Sequence, residues 1–175
     1  MDLYVDVIKD IANMFPDWQF DLIGSFRLGD DKNEESFVSD IIKKFNKISN
    51  QTRFHGFKNQ DFVQEKMKNA SIIVIPSIWE EPYGLVAAEA MSNGIAIIAS
   101  NVGGIPEIVK ENGILVKNIT RLKLQDELVK LMSNSDKIKT LQKLSWKNFE
   151  HSSKNSSKKL DSYREKILSS YIVNN

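Results

Sequence analysis

The sequence predicts an α/β domain of three layers, with helices covering both faces of a parallel sheet. Two observations carry that prediction. From residue 18 to residue 116, segments of strand length alternate with segments of helical period. Two of the strand segments, SIIVIPS (71–77) and AIIAS (96–100), are unbroken apolar runs, the pattern of strands covered on both faces. In chain order, LYVDVIKDIANMF places Leu3, Val7, Ile11 and Met14 on one helical stripe, and Pro16 ends it. WQFDLIG is a strand that stops at Gly24. GDDKNEES (29–36) is polar enough to be an exposed loop, and FVSDIIKKFNKI after it has helical period through Phe37, Ile41, Ile42 and Phe45. RFHGF is a short strand and DFVQEKMKNA a helix. SIIVIPS leads to the helix LVAAEAMSNG, which Gly94 closes. AIIAS follows, then a short helix started by Pro106, the strand GILV, and three helical stretches over 121–172. Trp146, Phe149, Leu160, Tyr163 and Ile167 predict that the last of these packs as a terminal helix.

Composition removes several classes of function. In 175 residues, 24 Lys and Arg balance 23 Asp and Glu, so no field recruits nucleic acid or an anionic surface, and any bound anion must be held locally. The absence of cysteine excludes disulfides, thiolate metal sites and cysteine nucleophiles, and it is compatible with a reducing cytoplasm. Acids at Asp2, Asp6 and Asp10 argue against a signal peptide. The apolar runs fall short of the ~20 residues of a transmembrane helix. No repeat or linker divides the chain, which reads as one domain over 1–175.

In open α/β sheets ligands bind beyond the carboxyl ends of the strands. The segments there are GSFR, HGFKN, PSIWEEPYG and SNVGGIP. Their glycines either make tight turns or let backbone approach a ligand, and Gly103-Gly104 ahead of Pro106 fits the second reading. In EEPYGLV, Pro82 suits a first helical turn, which leaves the amides of Tyr83, Gly84 and Leu85 as free donors. Such a helix start attracts phosphate, and a plain capped helix is the alternative. On a helical wheel Glu89 shares an arc with Ser92 and Asn93, away from Ala88, Ala90 and Met91. It is either part of a polar surface arc or a half-buried acceptor for the vicinal hydroxyls of a ribose. Glu81, just before the helix, is placed to accept hydroxyls of a second sugar. Together these positions suggest a nucleotide sugar.

EEPYGLVAAEAM closely resembles the Glu-x7-Glu motif of retaining GT-B glycosyltransferases of the GT4 family. SNVGGIPEIV, NGILV, RFHGF before ASIIVIPS, PDWQFDLIGS and SWKNFEHSSKNSSKKLDSYREKI follow the family's order over nearly the whole chain. The resemblance implies the Rossmann-like C-terminal half of a GT-B fold, which binds a nucleoside-diphosphate sugar and needs no metal or other cofactor. It gives Glu89 the ribose, Glu81 the donor sugar, and the amides of Tyr83, Gly84 and Leu85 the diphosphate. It sets Gly24 and Ser25 beside the phosphates and His55, Gly56 and Phe57 against the base through backbone, with Gly103 and Gly104 as a further sugar or phosphate loop. It also implies helices over 135–172 that pack toward an N-terminal acceptor domain. Domains of this family open with a strand followed by an Arg and a Lys that neutralise the diphosphate, whereas here Met1 leads straight into a helix. That strand, both cations and the acceptor domain are therefore expected to be missing, and the chain is expected to be a fragment that is inactive alone. No catalytic residue is assigned within it. The expected role is transfer of a hexose onto a glycan or lipid-linked glycan in surface polysaccharide or lipopolysaccharide assembly. The expected location is cytoplasmic, with room for peripheral contact at the cytoplasmic membrane face and no nucleic-acid partner. A non-enzymatic module for phosphorylated ligands, a GT-B phosphorylase and a sugar epimerase are the alternatives.

Overall fold

The computed structural model describes residues 2–24, 32–48, 50–150 and 152–173. Helix α1 (Asp2–Ile11) leads through a single 3-10 turn to strand β1 (Phe20–Ile23), followed by α2 (Lys32–Asn46), β2 (Thr52–Gly56), α3 (Gln60–Asn69) and β3 (Ile72–Ile75). Then come α4 (Leu85–Ser92), β4 (Ala96–Ser100), α5 (Ile105–Val109), β5 (Ile114–Val116), α6 (Arg121–Met132), α7 (Ser135–Lys147) and α8 (Ser153–Val173). Every strand pair is parallel, as expected from strands joined by helical crossovers. The hydrogen-bonded ladders form two groups, β1-β2 and β3-β4-β5, where the sequence suggested one sheet. Register runs Phe20 opposite Thr52, Ile72 opposite Ala96 and Ile98 opposite Ile114.

Strand β4 shows how an unbroken apolar segment makes three layers. Successive side chains leave opposite faces of a strand. Ala96 and Ile98 therefore join one core with Val7, Ile8 and Ile11 of α1, Phe45 of α2 and Leu124, Leu128 and Leu131 of α6. Ile97 and Ala99 join a second core with Ala87, Ala90 and Met91 of α4 and Ile105 and Ile108 of α5. All five residues of β4 are buried, and each fully buried isoleucine contributes about 1.5–3 kcal/mol of transfer free energy. The first core also takes Phe20 of β1, so one apolar layer runs beneath both ladders.

Several expectations change. Strand β3 was expected to be covered on both faces, but only Ile75 is buried and the other three residues are half-buried, because β3 is an edge of its ladder. On α1 the buried stripe is Val7, Ile8 and Ile11 with Val5, and in the 3-10 turn that follows Ala12 is buried while Met14 is exposed. Residues 32–36, expected as loop, belong to α2. The terminal helix α8 exists, but Leu160, Tyr163 and Ile167 are half or more exposed, so it does not pack as expected. Among the described residues no helix is long and apolar enough to cross a membrane.

Candidate functional site

At the carboxyl ends of the strands, hydrogen bonds tie the end of β1 to the end of β2, α3 to α4, and the loop after β3 to the loop after β4. The Gly24 amide donates to the Gly56 carbonyl at 3.0 Å, which ties the end of β1 to the end of β2. Gly24, at φ +137°, and Gly56, at φ +68°, both adopt backbone that favours glycine. From Gly56 the chain turns through Phe57, which is 78% exposed, into α3. Asn59 caps that helix by accepting from the Phe62 amide at 3.1 Å.

Helices α3 and α4 are stitched side by side. Gln60 Nε2 donates to Glu89 Oε1 at 3.0 Å, and one turn on Asn93 Nδ2 donates to Gln64 Oε1 at 3.0 Å. Each pair sits four residues from the other on its helix, so both lie on facing stripes. The arc expected for α4 is the one observed: Glu89, Ser92 and Asn93 are half-buried, and Ala87, Ala88, Ala90 and Met91 are buried. Gln60 was not singled out in the sequence, because a glutamine at a helix start carries no signal until a second helix presents a carboxylate to it.

Helix α4 begins at Leu85, where LVAAEAMSNG places it, but the set of donor amides shifts by one residue. Pro82 disfavours helical backbone at Glu81, and Gly84 is left-handed at φ +84°, so the helix begins only at Leu85. Gly84 is buried against Ile105, whose Cγ1 would lie 3.2 Å from an added Cβ. Its carbonyl accepts from the Ala87 and Ala88 amides at 3.0 and 3.2 Å. The amides of Gly84, Leu85 and Val86 therefore point out of the helix start with no acceptor among the described residues. Pro82 and Tyr83 lie before the helix, so Tyr83 leaves the expected donor set and Val86 enters it.

Glu81 is half-buried, and its carboxylate has no hydrogen-bond or ion-pair partner among the described residues. Its backbone is fixed at both ends. The Glu81 amide donates to the Trp79 carbonyl at 2.9 Å, and its carbonyl accepts from the Gly104 amide at 2.7 Å. The Gly103 amide donates to the Glu80 carboxylate, also at 2.7 Å. Gly103 and Gly104 thus bring backbone close, as their small size suggested, but to the 80–83 loop, and both of their amides are already engaged there. In the expected sugar or phosphate loop, Gly103 and Gly104 thus keep neither amide open for a ligand.

His55 and Gly56 end strand β2, as RFHGF predicts, and the His55 imidazole pairs with Asp21 of β1, its ring centroid 5.3 Å from that of Phe62 of α3 and tilted by 56° to it. Lys66 closes the group at 3.4 Å from the second Asp21 oxygen. The His55 side chain is thereby held between β1 and α3, and only its backbone remains for a ligand. Ser25 lies outside the described residues. Among the described residues no three His, Asp or Glu side chains gather closely enough to hold a metal ion.

Known proteins with this sequence and fold are consistent in kind. The profile of the family described as glycosyl transferases group 1 matches residues 1–148. The uncharacterized glycosyltransferase MJ1178 of Methanocaldococcus jannaschii is 36% identical over 143 residues, covering 81% of this chain and 37% of its own length. Among solved structures, Anabaena HepE in complex with UDP and glucose superposes with a TM-score of 0.70 at 20% identity, over 93% of this chain and 44% of that one. The C-terminal domain of the group 1 glycosyl transferase LpcC from Francisella tularensis gives 0.69 at 23% identity, over 83% of this chain and 75% of that domain. The chain thus spans less than half the length of MJ1178 and HepE. With the family profile matched over most of its residues and the fold of a GT-B C-terminal domain, this chain belongs to the glycosyl transferases group 1 family.

Proposed function

We propose that this chain binds a nucleoside-diphosphate sugar for a retaining glycosyltransferase, with the three parts of the donor laid along α4. The observation that carries this reading is the order Glu81 just before α4, the amides of Gly84, Leu85 and Val86 at its start with no acceptor among the described residues, and Glu89 one turn into it. The unpartnered Glu81 carboxylate accepts hydroxyls of the donor sugar. The helix start, with its partial positive charge and three open donors, holds the diphosphate. Glu89 lies four residues beyond Leu85, about 6 Å along the helix axis, and accepts the ribose hydroxyls while Gln60 orients its carboxylate. Gly24 is proposed to border the phosphates, and Gly56 and Phe57 the base. Ser25 is proposed to join Gly24 at the phosphates.

Within the whole protein the donor hexose passes to an acceptor hydroxyl with its configuration kept, as the Glu-x7-Glu resemblance suggests. The acceptor is a glycan or lipid-linked glycan of surface polysaccharide or lipopolysaccharide assembly, met at the cytoplasmic face of a membrane. Developing charge on the leaving diphosphate is stabilised by amides already aimed at it, so little reorganisation is needed. The reading requires no divalent metal, and binding should survive chelator.

Calorimetric titration with UDP, GDP, ADP and CDP, each free and as its glucose derivative, tests the proposal. One base series should bind, with the sugar form tighter than the free diphosphate. Glu81→Ala should erase that sugar increment and leave the free nucleotide almost unchanged; equal losses for both ligands would refute the division of roles. A folded sample that binds none of the eight would overturn the donor assignment, and one that prefers inorganic phosphate would favour a phosphorylated-ligand module.

A further inference from the structure

Two glutamates stand side by side at 80 and 81, and the structure separates their roles. The Glu81 carboxylate has no partner among the described residues, whereas the Glu80 carboxylate accepts from a backbone amide of the next strand-end loop, Gly103, at 2.7 Å. One residue on, the Gly104 amide donates to the Glu81 carbonyl at 2.7 Å. The two bonds run between the same two loops in parallel, one through a side chain and one through backbone. Between them the loops touch without intervening atoms: a Cβ on Gly103 would lie 2.3 Å from the Glu81 carbonyl oxygen, and one on Gly104 would lie 2.7 Å from the Pro82 carbonyl oxygen. Gly103 is held at φ +53°, a conformation that presents its amide to Glu80 and that side-chain-bearing residues adopt at a cost.

We infer that Glu80 is a positioning residue, a buckle that fastens the loop after β3 to the loop after β4 and so fixes the direction in which Glu81 offers its carboxylate. The inference rests on the sugar-binding role of Glu81 proposed above. The helix that carries Glu89 is held separately, by its buried face of Ala87, Ala90 and Met91 and by Gln60. Loosening the buckle therefore disturbs the sugar end of the ligand and spares the nucleoside end. Glutamine at position 80 keeps a carbonyl oxygen that accepts the Gly103 amide, whereas alanine keeps nothing.

The experiment compares wild type, Glu80→Ala and Glu80→Gln by calorimetry with the nucleoside diphosphate that binds most tightly and with its glucose derivative. In parallel, NMR follows hydrogen exchange at the Gly103 amide with no ligand present. Glu80→Ala should weaken the glucose derivative by about tenfold, the scale of one lost hydrogen bond to a charged group, and change the free diphosphate less than about twofold. It should also accelerate exchange at Gly103. Glu80→Gln should restore both. Because Glu80 is an exposed loop residue, all three proteins are expected to fold, and their melting temperatures check this. Unchanged Gly103 exchange in Glu80→Ala would overturn the buckle, as would equal weakening of both ligands or a glutamine variant no better than alanine. A wild type that binds neither ligand refutes the donor reading instead, and the exchange measurement still decides whether Glu80 fastens the two loops.

Discussion

Replacing Gly103 by alanine sets a methyl carbon 2.3 Å from the Glu81 carbonyl oxygen and 2.5 Å from the Glu81 amide nitrogen. Close carbon–oxygen contacts in proteins stop at about 3.3 Å, so one loop must retreat by about 1 Å. Both atoms are backbone, and the retreat cannot be absorbed by a rotamer change. It stretches the Gly103-to-Glu80 and Gly104-to-Glu81 hydrogen bonds from 2.7 Å to beyond bonding distance. Each is worth about 1 kcal/mol net. The left-handed backbone at φ +53° adds about 1–2 kcal/mol for a residue with a Cβ, giving a loss of about 3–4 kcal/mol. Gly94→Ala is the control. Gly94 is also left-handed, at φ +66°, but its added Cβ would meet the Trp146 Cβ at 3.4 Å, an ordinary contact. Its cost is the backbone component alone, about 1–2 kcal/mol. Both variants share the same reduction in unfolded-chain entropy, so the difference isolates the collision. Urea unfolding with a common m-value should show Gly103→Ala the less stable by about 2 kcal/mol. Equal destabilisation of the two variants would refute the argument that the loops are docked backbone to backbone.

Other predictions test the nucleoside end and the core. Glu89→Ala should weaken nucleotide binding by about 1–3 kcal/mol in calorimetry, since charged hydrogen bonds to the ribose are lost; unchanged affinity would leave Glu89 as no more than the surface partner of Gln60. Tyr4 is half-buried as a residue, with its ring 6.1 Å from that of Phe45, and burial followed by the charge of Asp21 pushes its hydroxyl above the ordinary tyrosine value. Below about pH 10 both folded and unfolded chains keep this proton and stability is unaffected. Above that, the unfolded chain releases a proton that the fold retains, so stability falls with rising pH by up to about 1.4 kcal/mol per unit. Chemical denaturation from pH 8 to 11.5 should show a flatter decline for Tyr4→Phe, and identical slopes would disprove the effect.

The amino-acid order by itself determined the elements that depend on local period and on strong breakers. AIIAS reads as a strand covered on both faces because Ala96 to Ala99 are apolar without a break, and it is buried throughout. The arc of Glu89, Ser92 and Asn93 was legible because helical geometry is fixed at 3.6 residues per turn and their neighbours are alanines and methionine. The tertiary structure decided whatever depended on a partner far along the chain. SIIVIPS looked as buried as AIIAS, yet its place at the edge of a ladder leaves it half-covered, and an apolar run carries no mark of edge or centre. Leu160, Tyr163 and Ile167 have the spacing of a packed helix, but spacing cannot supply a surface to pack on. RFHGF carries no sign of a partner for His55, and only the parallel pairing of β1 with β2 brings Asp21 to its ring. The pair Glu80 and Glu81 shows the same division most sharply. Two identical side chains, adjacent in sequence, differ in role because the loop from another strand end offers an amide to the first and leaves the second open. Local sequence fixes where a side chain hangs on its own element, whereas its hydrogen-bond partner comes from how distant elements pack.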